Sequence, residues 1–146
     1  MRRRDLLKRI GTGFAALLLI GCTPTPALEV TDAWLRAPLP GKTVAAGYFT
    51  LHNHANRAFT LVGLSSPVAA RVELHTHYLQ GDMMRMRKLD RLEVASRHRI
   101  VLAPGGHHLM LFDVDVGLLT DTAQVTLEFA DGTVLSAQLY VRNLRP

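Results

Sequence analysis

From Leu28 onward the chain is punctuated by turn signals, and the segments between them alternate with a period of two. Pro38, Pro40 and Gly41 make the first break, Asn53 to Asn56 the second, Pro67 the third and Gly81-Asp82 the fourth. Ala103-Pro104-Gly105-Gly106 and Asp131-Gly132 follow. Such spacing, roughly one signal every 8–12 residues, leaves no room for long helices and confines the chain to an all-β Greek-key sandwich or barrel. The pattern predicts strands at 30–36, 44–53, 58–66, 71–77, 83–89, 92–94, 99–102 and from His107 through HHLMLFDV. QVTLEFA and VLSAQLYV, joined at Asp131-Gly132, form a closing hairpin. Residues 118–122 are a loop or one helical turn.

The N-terminus is of another kind. Residues 1–21 have a basic start, then an apolar stretch from about Ile10 to Ile20, too short for a membrane span and right for a signal peptide. Leu19-Ile20-Gly21-Cys22 resembles the lipobox of bacterial lipoproteins, in which the cysteine is lipidated and becomes the first mature residue. Arg3-Arg4-Asp5-Leu6-Leu7-Lys8 resembles a twin-arginine export signal. Cys22 and the Thr23-Pro24-Thr25-Pro26 stretch (22–27) then read as a lipid-bearing tether, and 28–146 as one domain on the periplasmic side of the envelope.

The net charge of +5 is concentrated in this leader. Without the residues before Cys22, 12 Lys and Arg face 11 Asp and Glu, so nothing points to nucleic acid. Arg85, Arg87, Lys88 and Arg91 read as a solvated strand edge. Cys22 is the only cysteine. It excludes an internal disulfide and also a blue-copper centre, which needs a thiolate.

Chemistry concentrates between His75 and Met110. This stretch holds five of the seven histidines and every methionine except the initiator. Imidazole with thioether suits a soft metal, and thioether favours Cu(I) over Zn, Mg or Ca. The composition therefore suggests a Cu(I) site of two His and two Met. Strand periodicity places Glu73 and His75 with His77, Met84 with Met86, and His108 with Met110, each set on one face, with His107 pointing away. The first two strands, joined by five residues, pair as a hairpin. The third reaches them through the tertiary fold, so that all three converge at one end of a sandwich.

His75 and Met86 enclose ten residues, Met86 and His108 enclose twenty-one, and Met110 follows two positions on. This H-x10-M-x21-H-x-M resembles the signature of the periplasmic PCu(A)C-type copper chaperones. The flanks Ala33–Ala37, Ala46–Phe49, Val72–His75 and Pro104–Met110 agree, and the resemblance covers nearly all of the chain after Ala27. It implies a cupredoxin-like fold, with His75, Met86, His108 and Met110 as Cu(I) ligands. It also implies delivery of copper to the CuA or other copper sites of respiratory cytochrome oxidase, the recipient being an oxidase subunit or another copper chaperone. Some members carry a His- and Met-rich C-terminal tail that binds Cu(II). This sequence runs to Arg145-Pro146 without one, so no second site of that type is expected.

The competing reading is a zinc-dependent hydrolytic enzyme using His75, His77 and His108, a shell that leaves the methionine spacing unexplained. His77 is a third imidazole, a partner to the ligands, or surface. Met83 and Met84 read as core filling. Trp34 and Tyr48 read as core, with shielding of copper as the other role. His52, His54, His98 and His107 read as surface, and Asp113 and Asp115 as a solvated strand end.

Overall fold

A computed structural model describes residues 24–142. The expected signal peptide and export motif, together with Cys22, lie outside the described residues. Residues 24–27 are exposed and without regular structure.

Ten strands follow in order: β1 (Leu28–Arg36), β2 (Ala45–Asn53), β3 (Phe59–Ser65), β4 (Ala69–Gln80), β5 (Met83–Leu89), β6 (Leu92–Val94), β7 (Arg99–Leu102), β8 (His107–Val114), β9 (Thr122–Phe129) and β10 (Val134–Arg142). The expected strands are all present; 83–89, 92–94, 99–102 and the His107 strand keep their ends, and the others shift by one to three residues. The largest shift is in β4, which runs on to Gln80, so the β4–β5 loop is two residues rather than five. Gly81 takes that turn at φ +61°, as the first central position of a type II′ hairpin requires. Residues 116–118 form a turn.

The strands are hydrogen-bonded in the order β5-β4-β8-β2-β1-β10-β9-β3-β6, with β7 also on β2. The sheet folds into two wings around β1, which is antiparallel to β2 and parallel to β10. One core joins the wings. Leu51, Leu74, Leu109 and Leu111 come from one side, and Phe59, Leu61, Val125, Leu127 and Leu139 from the other. Each fully buried leucine contributes roughly 1.5–3 kcal/mol of transfer free energy. Close approach is needed at Gly47, where a Cβ would lie 2.9 Å from Leu139 Cδ2 and 3.3 Å from Leu109 Cβ.

A bulge in β1 sets what the outer surface carries. The register with β2 shifts between Thr31 and Trp34, and Asp32 sits there at φ +52°. Core-facing positions change from Leu28 and Val30 to Ala33 and Leu35. One extra residue flips the parity of a period-two element, so Trp34 and Arg36 turn outward. The expected assignment of Trp34 to the core is corrected here: it is half-buried and stands outside the core cluster. Tyr48 is buried, as expected, with its ring tilted against Trp34 at a centroid distance of 4.4 Å.

Candidate metal centre

In β4, Val72, Leu74 and Thr76 face the core, while Glu73, His75 and His77 alternate outward. In β8, Leu109 and Leu111 face inward, and His108 and Met110 outward. Register then assembles the face. His75 lies opposite His108 on one side and Lys88 on the other; His77 lies opposite Met86; Met110 lies opposite Glu73. The three candidate strands are direct neighbours, with β4 in the middle. Their side chains meet on the outer face of one wing, near the end bearing the Gly81 and Gly105 turns, rather than across the end of the sandwich.

His108 is the best-fixed of the candidate residues. It is 3% exposed. Its Nδ1 lies 3.0 Å from the Gly106 carbonyl, which can only accept, so Nδ1 carries the proton and Nε2 the lone pair. That Nε2 lies 3.0 Å from the Met86 sulfur. Neither atom then has a hydrogen to share. Two lone-pair donors thus face one another. Burial pushes the His108 imidazole below its ordinary value; the Gly106 carbonyl opposes this, and the nearby His77, His75 and Arg36 charges add to it.

His75 is held the opposite way round. Its Nε2 lies 2.9 Å from Glu73 Oε2, and the carboxylate accepts, so Nδ1 is the nitrogen left for a metal. That Nδ1 is buried and has no hydrogen-bond partner. Glu73 also accepts from Arg71 at 3.0 Å and faces Lys88 Nζ at 3.6 Å. The hydrogen bond from His75 holds its carboxyl below the usual range against some desolvation, and Lys88 and Arg71 assist. Metal-binding imidazoles commonly hand their second nitrogen to a carboxylate or a carbonyl, and this face supplies one of each.

The His77 ring is stacked on His108, with centroids 4.8 Å apart and planes 28° apart. Its backbone N–H donates to the same Gly106 carbonyl, at 3.3 Å. Among the described residues no three His, Cys, Asp or Glu side chains are placed to hold one metal ion. The zinc shell of His75, His77 and His108 is therefore not formed among the described residues. Met110 stands two residues along β8 from His108 and forms one wall of an open recess of about 240 Å³ with Arg36, Leu39, Val44 and Ala46.

Aromatic side chains flank the donors. Tyr48 lies 6.5 Å from His108 by ring centroids, its hydroxyl accepts from Arg36 at 2.9 Å, and Arg142 covers Trp34 at 4.6 Å. Met83 and Met84 are corrected from core filling to surface, at 57% and 58% exposed. His98 is exposed. His52 and His54 stack on one another and are hydrogen-bonded to Thr31 and Glu29 respectively. His107 is half-buried, and Asp113 and Asp115 are exposed. Sequence reasoning missed Glu73 as an orienting residue, although alternation had put it on the face of His75. The Gly106 carbonyl gave no signal, because a backbone acceptor has no side-chain signature.

An all-β, cupredoxin-like domain with two imidazoles and two thioethers on one sheet face is the class these features define. Among solved structures, the copper-bound PCuAC domain from PmoF2 superposes with a TM-score of 0.67 at 26% identity, covering 83% of this chain and 97% of that one. Apo-DR1885 from Deinococcus radiodurans does so with a TM-score of 0.60 at 26% identity, covering 98% and 97%. The chain belongs to the family described as "Putative lipoprotein LpqE-like", which matches residues 28–141, and its fold is that of the PCuAC domains. Uncharacterized protein RP573 of Rickettsia prowazekii is 30% identical over 125 residues, 82% of this chain and 69% of that protein. Lxx21020 of Leifsonia xyli, described as a lipoprotein, is 28% identical over 158 aligned positions, 98% and 94%.

Proposed function

We propose that the protein is a copper carrier that binds Cu(I) through His75, Met86, His108 and Met110. The observation that carries this is the contact of His108 Nε2 with Met86 Sδ at 3.0 Å while Nδ1 is tied to Gly106. The orphaned, buried Nδ1 of His75 supports it as the second imidazole donor. Copper in the related PmoF2 domain supports the choice of metal. Two neutral thioethers and two neutral imidazoles leave the metal's charge uncompensated. Such a shell favours Cu(I), which is soft, over Zn(II).

Transfer proceeds by ligand exchange. Met86 lies on the edge strand and is 45% exposed, whereas Met110 is half-buried between β4 and β2. Met86 therefore opens first, and a partner's soft donor enters at its place. His108, held by the fold, stays until last. No turnover is involved. Delivery to the CuA or another copper site of a respiratory oxidase, directly or through another chaperone, is the fitting destination. Lipidation at Cys22 and a tether through residue 27 would hold the domain at the periplasmic face of the envelope, in keeping with the lipoprotein family.

The test is competitive Cu(I) titration of residues 23–146 against a chromophoric chelator, with Zn(II) in parallel. One tight Cu(I) equivalent, lost in His75→Ala and weakened in Met110→Leu, is the expected result. Preferred Zn(II) binding that ignores the methionines would overturn the proposal.

A further inference from the structure

The donor face continues beyond Met86. Met84 pairs with Leu79 as Met86 pairs with His77, so both methionines leave β5 on the same side. Two residues of strand separate their Cα atoms by about 6.8 Å, within the combined reach of two flexible thioether side chains. Exposure rises outward along this line, from 3% at His108 to 45% at Met86 and 58% at Met84. Met84 has no place in the core cluster, so packing does not account for it. Leu79 opposite it is 69% exposed, so an open apolar pair stands beside the hairpin turn.

We propose that Met84 is an exchange ligand. Its thioether takes up Cu(I) as Met86 lets go and presents it at the tip of the β4–β5 hairpin to an incoming soft donor. This rests on the copper-carrier reading. In the step, the Cu(I)–sulfur bond to Met86 breaks as the Cu(I)–sulfur bond to Met84 forms. Both donors are neutral, so no proton moves, and copper stays Cu(I). Met84 then governs how fast the metal leaves, while equilibrium affinity stays with the four donors already named.

The experiment loads the protein with one Cu(I) and follows its transfer to a dithiol peptide by stopped flow, comparing wild type, Met84→Leu and Met83→Leu. Met83 alternates to the opposite face of β5 and is the control. Met84→Leu is expected to slow transfer about tenfold while the chelator-competition Kd stays within about twofold; Met83→Leu is expected to match wild type. In wild type with 13C-labelled methionine methyls, substoichiometric Cu(I) is expected to broaden the Met84 signal. Wild-type transfer rates in Met84→Leu overturn the exchange role alone, and so does a parallel loss of rate and affinity, which would make Met84 a permanent ligand. A wild-type protein that takes up no Cu(I) overturns the carrier reading and the exchange role together.

Discussion

His108 Nε2 and Met86 Sδ lie 3.0 Å apart although their strands are not neighbours. β4 runs between them, and its His75 and His77 pair with His108 and Met86 respectively. The contact thus spans a whole strand. It forms because a long methionine on an exposed edge leans across the sheet towards an imidazole whose orientation the Gly106 carbonyl has already fixed.

Removing that thioether isolates its contribution. Met86→Leu is expected to weaken Cu(I) binding by about 100-fold. Because the Met86 side chain is nearly half exposed, the folding free energy should move by no more than about 0.5 kcal/mol. Chelator competition and urea unfolding on the same sample check both.

Glu73 carries the next prediction. Glu73→Gln keeps the shape but weakens the acceptor that orients His75. Loss of such a partner costs about 10–100-fold in metal affinity. The expected signature is weaker Cu(I) binding in Glu73→Gln, read by the same titration, with unchanged far-UV circular dichroism.

Gly47 tests the packing beneath the site. Gly47→Ala places a Cβ against Leu139 and Leu109. Overpacking of that kind costs about 1–3 kcal/mol, measurable by urea denaturation. Leu109 is the inward neighbour of His108 and Met110, so Cu(I) affinity is expected to fall as well.

Asn53 is 2% exposed and ties the end of β2 to the turn that follows it and to the segment after β6. Its amide nitrogen donates to the carbonyls of Arg57, Val94 and Ala95 at 2.7, 3.1 and 2.9 Å, and its oxygen accepts from the Ala55 N–H at 2.9 Å. Asn53→Ala strands several of these groups. A loss of about 2–4 kcal/mol in urea unfolding is expected, with Cu(I) affinity unchanged.

Asp131 is one contributor to the acid limb of stability. The Thr133 N–H, then Arg57 at 2.7 Å, hold the Asp131 carboxyl at about 2, against an ordinary 3.8. A depressed carboxylate stabilises the fold fully above its unfolded value and loses that contribution as pH falls through its folded one. Asp131→Asn should therefore unfold more easily than wild type above about pH 4, and the two urea midpoints should converge towards pH 2.

Much of this protein was legible without coordinates. Period-two alternation and glycine- and proline-bearing turns determined the strands, because a strand's faces and a tight turn's conformation are local properties. The same alternation put Glu73, His75 and His77 on one face and His108 and Met110 on another. The spacing of His75, Met86, His108 and Met110 marked the candidate donors, since residue type is itself chemistry. Tertiary structure decided what depends on partners distant in sequence. The pairing of β4 with β8 is one such result, and it alone sets His75 beside His108. The Asp32 bulge is another: one inserted residue reverses the faces of the rest of β1 and moves Trp34 out of the core. Met83 and Met84 show the same limit, because apolar character gives no sign that a strand lies at the sheet edge. The proton positions on His75 and His108 were also beyond the sequence, since they depend on a carboxylate and a backbone carbonyl brought within 3.0 Å only when the sheet is assembled.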